Sequence, residues 1–135
     1  NLKPMSWPQI NIMRRNGMNI GLHTHSHPNL GKIEASISRN DLVKSQYVLR
    51  KKTGIRTPYF AYPYGDRHSF NESTITILKN IGFKYAFTTI WGNNIDNKNN
   101  YIIKRIRIDS GDSLVDFKNK ILGYWDFVGW IQMKI

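Results

Sequence analysis

Three of the four histidines of this 135-residue chain fall within five positions, in the run Gly21-Leu22-His23-Thr24-His25-Ser26-His27-Pro28. Neutral imidazole nitrogens bind Zn²⁺ and similar ions, and a rigid element just before them fixes their direction. In a helix, His23 and His27 would share a face; in an extended segment, all three would. Spacing alone does not choose between these. A polar turn started by Thr24 and Ser26, without any metal, also fits the run. The helical zinc-protease pattern does not fit, because no Glu follows His23 and Pro28 opposes a long helix here.

A second segment, Arg56-Thr57-Pro58-Tyr59-Phe60-Ala61-Tyr62-Pro63-Tyr64-Gly65-Asp66, carries alternating aromatic residues into a Pro-Tyr-Gly turn. Glycine at 65 permits a backbone angle that other residues resist. A turn directly after a barrel strand can aim backbone N–H groups at a developing oxyanion. Asp66 reads as a turn residue and His68 as a surface loop residue.

The elements that must position these segments can be read from punctuation and period. Ser6, Pro8 and Gln9 open a helix with Ile10, Ile12 and Met13 inward, closed by Gly17. Residues 18–22 read as a buried strand. A helix is expected from Ser38 to Thr53, stopped by Gly54, with Leu42, Tyr47, Val48 and Leu49 as core candidates. Residues 59–62 read as a short strand ended by Pro63. A helix from Asn71 places Ile75, Ile77, Leu78 and Ile81 inward up to Gly82, and 85–89 reads as a strand. Residues 91–100 are Asn-rich and read as a loop, 101–108 as a strand, and a helix capped by Asp112 or Ser113 carries Leu114, Phe117 and Ile121. The aromatic tail Tyr124 to Ile131 is expected to pack as a final element on the same domain. Alternating helices and strands predict parallel βα units, whose chemistry sits at the C-terminal ends of strands. His23 and Pro63 each follow a strand, so the two segments should meet on one face.

Composition narrows the functional classes. The chain has 20 basic and nine acidic residues, a formal charge of +11, and no cysteine. Thiolate ligands and disulfides are excluded. The charge favours polyanionic surfaces, but no basic stripe with interleaved aromatics marks a nucleic-acid module. No stretch approaches the ~18 apolar residues of a spanning helix.

Taken together, the two segments resemble the polysaccharide deacetylases with NodB homology, carbohydrate esterase family 4. His23, Thr24 and His27 match the family's His-[Ser/Thr]-x-x-His motif, and Phe60 to Gly65 resembles its Pro-Tyr-Gly motif. Ile81 to Thr89 and Lys104-Arg105-Ile106 are similar to later family segments, so the resemblance spans about residues 5–122. It implies a partial distorted (β/α) barrel over 1–122, with the aromatic element 123–135 packed on it. It implies a metal-dependent hydrolase that removes N-acetyl groups from hexosamine units of a polysaccharide, with a divalent metal, zinc above others, on His23 and His27. Thr24 and Arg105 would support the site, the Tyr64 N–H would stabilise the oxyanion, and Phe60, Tyr62, Pro63 and Tyr64 would line the substrate groove. The implied compartment is the cell envelope or outside the cell.

The chain also departs from the family pattern. No Asp or Glu precedes Glu34, so the family's adjacent aspartates, source of the general base and third ligand, have no counterpart. The simplest expectation is a barrel whose first strand is missing, with an open sheet edge able to pair with a second chain. Ala61 stands where the family has Arg, leaving Arg56 or Arg67 as substitutes, and no Leu-x-His motif supplies a general acid. A non-catalytic carbohydrate- or cell-wall-binding remnant of the same fold is the alternative function.

Overall fold

Three parallel strands, β1 (Tyr59–Ala61), β2 (Tyr85–Trp91) and β3 (Ile103–Arg105), lie side by side in that order in a computed structural model, which describes residues 4–132 and 134. Ahead of them come α1 (Trp7–Arg15) and α2 (Ala35–Thr53). Helix α3 (Glu72–Ile81) crosses from β1 to β2, as parallel pairing requires. Helices α4 (Leu114–Ile121) and α5 (Phe127–Gln132) close the described chain. The expected parallel βα arrangement is therefore present.

Helix boundaries follow local chemistry. Asn71 caps α3 by accepting from the Thr74 N–H at 3.0 Å, and Ser113 caps α4 by accepting from the Asp116 N–H at 3.1 Å. Gly54 and Gly82 stop α2 and α3 in the left-handed conformation. Helix α2 starts at Ala35 rather than Ser38, which places Asp41 in its second turn.

Register sorts the sheet into two faces. Tyr59 pairs with Tyr85, Phe60 with Ala86, and Ala61 with Phe87. Phe60, Ala86, Thr88 and Ile90 are buried, and Phe60 and Ala86 join Leu42, Leu49, Leu78 and Phe83 in the core. Tyr59, Ala61, Tyr85, Phe87 and Thr89 share the opposite, half-buried to exposed face.

Several expected elements are smaller or face otherwise. Residues 18–22 form no buried strand: only Leu22 pairs, in an isolated parallel bridge to Phe60, and Met18 is exposed. Leu22 is held by its own N–H to Tyr59 O at 3.0 Å and by the Ala61 N–H to its carbonyl at 2.9 Å. Asn19 and Gly21 offer little apolar surface to bury beside it, so pairing stops there. Ile12 and Tyr47 face solvent.

The strand expected over 101–108 contracts to β3. Asn94 accepts from the Lys104 N–H and donates to its carbonyl, both at 2.9 Å, standing in for a neighbouring strand. Asn93, Asn97 and Asn99 make similar side-chain bonds to backbone N–H groups within the loop, which explains its composition. Beyond β3, Ile108, Leu114, Phe117 and Ile121 are exposed, against expectation, and Lys120 is the buried residue of α4. Its ammonium donates to Asp112 at 2.6 Å between the rings of Trp91 and Trp125. Helix α5 rests on β2 where Gly129 meets the Trp91 carbonyl and the Trp91 N–H donates to Gln132 at 2.8 Å. No helix among the described residues is long and apolar enough to cross a membrane.

Candidate functional site

The histidine run is neither helix nor strand but a tight turn beginning where Leu22 is pinned to β1. Thr24 and His27 both adopt positive φ, 67° and 56°. The Thr24 hydroxyl accepts from the His27 N–H at 3.0 Å, closing the turn from inside. The His23 and His27 rings meet edge to face, with centroids 4.9 Å apart. His23 Nδ1 lies 2.8 Å from the Ala61 carbonyl oxygen. A carbonyl only accepts, so Nδ1 carries a proton, and in the neutral imidazole Nε2 then presents its lone pair. That is the tautomer and support a metal-ligating histidine requires.

Asp41 was not among the residues the sequence pointed to. It reaches from α2 to the outer side of the turn. Its carboxylate accepts from the His25 N–H at 2.6 Å, the Ser26 N–H at 3.0 Å and the Ser26 hydroxyl at 2.5 Å. Partial burial raises its pKa, but these hydrogen bonds outweigh it and hold the carboxyl below its ordinary value. The only sequence signal was the spacing of Ser38, Leu42, Ser45 and Leu49, whose burial sets the rotation of α2 and so the direction of Asp41.

The Pro-Tyr-Gly turn follows β1. Tyr64 sits at φ 63° and Gly65 at φ 72°, and the Gly65 N–H donates back to Pro63 O at 2.7 Å. This three-residue turn is strained for a side-chain-bearing residue. Thr89 of β2 ties it down twice: its hydroxyl donates to Tyr64 O at 2.7 Å and its N–H to Gly65 O at 2.8 Å. A Cβ on Gly65 would lie 2.7 Å from the Thr89 nitrogen, so glycine is needed for close approach as well as for φ. Among the described residues no acceptor takes the Tyr64 N–H. The Tyr64 and His27 rings meet with centroids 5.1 Å apart.

The two segments thus share one end of the sheet. The non-glycine residues with positive φ among the described residues are Thr24, His27 and Tyr64, all of them here. Each such conformation costs on the order of 1–3 kcal/mol and persists only where its surroundings over-determine it. Arg105 is one layer away: its Nε donates to Thr88 O at 2.5 Å, fastening β3 to the strand that carries Thr89. Beside His23 opens a cleft of about 500 Å³ whose wall includes Tyr59, Ala61 and Phe87.

Three of the four expected groove residues, Phe60, Tyr62 and Pro63, are corrected. Phe60 and Tyr62 are each 1% exposed and belong to the core, where no polymer reaches them. Phe60 packs on Phe83, and the Tyr62 hydroxyl, its pKa pushed up by burial, donates to Tyr101 O at 3.0 Å. Strand alternation sends both to the helix-covered face. Pro63 is buried too, whereas Tyr64 is exposed. Asp66 accepts from the His68 N–H at 2.8 Å and, through its carbonyl, from Ser69, as a turn residue does. Arg56 precedes β1 and so lies at the other end of the strand from Tyr64, while Arg67 lines a cleft with His68 and Thr89. His25 enters neither ring contact of the pair. Among the described residues no three His, Asp or Glu side chains converge as a metal site, so His23 and His27 fit part of a coordination sphere, not a whole one.

A family model for polysaccharide deacetylases matches residues 2–86. The chain belongs to that family. It is 37% identical over 59 residues to a peptidoglycan-N-acetylglucosamine deacetylase of Bacillus cereus, covering 42% of this chain and 22% of that protein. It is 30% identical over 136 residues to a poly-beta-1,6-N-acetyl-D-glucosamine N-deacetylase of Staphylococcus aureus, covering 93% of this chain and 44% of that protein. The chain therefore spans less than half the length of these curated relatives. Its fold matches a Streptococcus pyogenes deacetylase solved with acetate, with a TM-score of 0.75 at 24% identity over 86% of this chain and 50% of that one. A polysaccharide deacetylase from Bacillus cereus aligns with a TM-score of 0.72 at 26% identity over 87% of this chain and 36% of that one. The three parallel strands and their helices are thus part of the NodB-type α/β barrel.

Proposed function

We propose that this chain supplies half of the active site of a metal-dependent polysaccharide N-deacetylase, cleaving the amide that joins acetate to a hexosamine unit. The observation that carries this reading is the meeting of His23, His27 and the strained Tyr64 turn at one end of the parallel sheet. A polymer of N-acetylglucosamine is the substrate class supported by the two curated relatives. A working site at the cell envelope or outside the cell is the reading that goes with such a polymer.

His23 through Nε2, and His27, would hold the metal, and an all-nitrogen pair on a pre-set tautomer suits zinc. When bound, such an ion polarises an amide carbonyl and lowers the pKa of a coordinated water. The chain's own residues orient the imidazoles and bind the oxyanion. The Ala61 carbonyl holds the proton on His23 Nδ1. Thr24 keeps His27 turned toward His23. The Tyr64 N–H donates to the oxyanion as the acetyl carbon becomes tetrahedral, and Thr89 and Gly65 fix its direction beforehand. Arg105 holds β2 and β3 in register behind Thr89. Neither the general base nor the general acid is assigned to a residue of this chain.

The test is acetate release from N-acetylglucosamine oligomers by the protein that carries this chain, with its metal content measured in parallel. His23→Ala and His27→Ala are expected to abolish both. Retention of both by either variant overturns the reading. The isolated 135 residues are expected to release little acetate. Metal-independent binding of the oligomers by a protein without turnover would favour a carbohydrate-binding role, a reading supported by the incomplete ligand set.

A further inference from the structure

The turn bearing the two imidazoles is held from opposite sides by two different devices. From inside, Thr24 Oγ1 takes the His27 N–H. From outside, Asp41 takes the two N–H groups in between, those of His25 and Ser26, together with the Ser26 hydroxyl. The bonded residues 25 and 26 are flanked by the positive-φ residues Thr24 and His27. A β-branched residue and a histidine would leave that region of backbone space if the peptides between them could rotate. Asp41 prevents the rotation by engaging both peptides at once.

The anchor behind Asp41 is rigid. Its neighbour Leu42 is fully buried in the core, and Ser38 and Ser45, one turn to either side, are buried as well. The carboxylate therefore projects from a helix whose rotation and depth are fixed by packing. Its two oxygens already accept from three donors of the turn, and Asp41 joins no group of three ligating side chains among the described residues. It acts on the imidazoles through the backbone.

We propose that Asp41 is a positioning residue for the His23–His27 pair, converting the fixed rotation of α2 into a fixed separation and angle of the two rings. This rests on the metal-site reading above. Supporting groups behind metal ligands commonly change metal affinity or activity 10- to 100-fold when removed. Asp41 is such a group although it touches neither ligand's ring.

The experiment compares Zn²⁺ affinity, by competition with a chromophoric chelator, in the protein carrying this chain and in its Asp41→Ala, Asp41→Asn and Ser26→Ala variants. Amide hydrogen exchange without metal is read on the same samples. Asp41→Ala is expected to weaken Zn²⁺ binding 10- to 100-fold and to speed exchange at His25 and Ser26 while amides of α2 and α3 keep their protection. Asp41→Asn keeps one acceptor oxygen and should fall between wild type and alanine. Ser26→Ala removes one donor of three and should have the smallest effect; it and the asparagine variant carry the test if alanine does not fold. Faster exchange with Zn²⁺ affinity within twofold of wild type overturns the positioning role, as does unchanged exchange. Zn²⁺ affinity that responds to His23→Ala and His27→Ala but not to Asp41 fails this inference alone. Affinity that ignores the histidines fails the functional reading itself.

Discussion

Residues 22–90 and residues 103–132 are built on opposite principles. In the first region apolar side chains go inward, with Leu30, Leu42, Phe60, Leu78 and Phe83 all at or below 1% exposure, and strain is concentrated in two turns at one end of the sheet. In the second the pattern inverts: Leu114, Val115, Ile121, Tyr124, Phe127 and Trp130 face outward, while the charged Lys120 is buried against Asp112. The family match, residues 2–86, covers most of the first region and none of the second. A packed core can hold unfavourable backbone angles in place because many contacts oppose their relaxation. The second region has no such reserve, and its helices are held by the Ser113 cap, the ion pairs of Lys120 with Asp112 and Asp109, and the seat of α5 on Trp91.

The sharpest way to break this contrast is to truncate one leucine in each region. Leu78→Ala should cost ~2–5 kcal/mol, read as a lowered denaturant midpoint. Leu114→Ala should stay within about 0.5 kcal/mol. Equal losses would mean that α4 is packed as firmly as α3.

A smaller contrast uses glycine. Gly65→Ala meets both a left-handed φ, worth ~1–2 kcal/mol against a side chain, and the Thr89 backbone. Gly111→Ala meets nothing within 4 Å and should leave the unfolding midpoint unchanged. An unaffected Gly65 variant would show that the Tyr64 turn is not held as tightly as its bonds to Thr89 imply.

Lys120→Met should loosen the second region alone. It removes the partner of Asp112 and the cation between Trp91 and Trp125. The expected result is faster limited proteolysis after residue 105 with the thermal midpoint of the core little changed. Cleavage within 22–90 at the same rate would erase the distinction between the regions.

The weakest effect is that of acid. Hydrogen bonding from Lys120 holds the Asp112 carboxyl below its ordinary value, and hydrogen bonding from Ser113 does the same for Asp116. A carboxyl depressed in the folded state contributes stability above its unfolded pKa, about 3.9, and loses it as pH falls through the folded value. Tryptophan fluorescence from Trp91 and Trp125 should therefore change only below about pH 4. A transition near neutrality would show that these two carboxylates do not set the response.

Much of the fold was legible because its signals are local. Asn71 and Ser113 begin helices, and Gly54 and Gly82 end them, through bonds and φ values reached within a few residues, and chain order predicted that His23 and Pro63-Tyr64 would meet. The His/Thr/His and Pro-Tyr-Gly patterns likewise marked the family. Burial of Phe60 and Tyr62 was missed because an aromatic strand looks alike whichever face the helices cover. The exposed apolar side of α4 was missed because period reports amphipathicity but not what lies opposite.

The sequence by itself determined which residue types were available for chemistry, where helices stop, and that parallel βα units would carry two loops to one end. Only the tertiary structure decided that His23 and His27 meet through a left-handed turn, that Thr89 fixes Tyr64 from 25 residues away, and that Asp41 braces the histidines from a neighbouring helix. Those outcomes depend on the rotation and depth at which packed elements come to rest. That quantity is set by the sum of core contacts and is written in no single stretch of the chain.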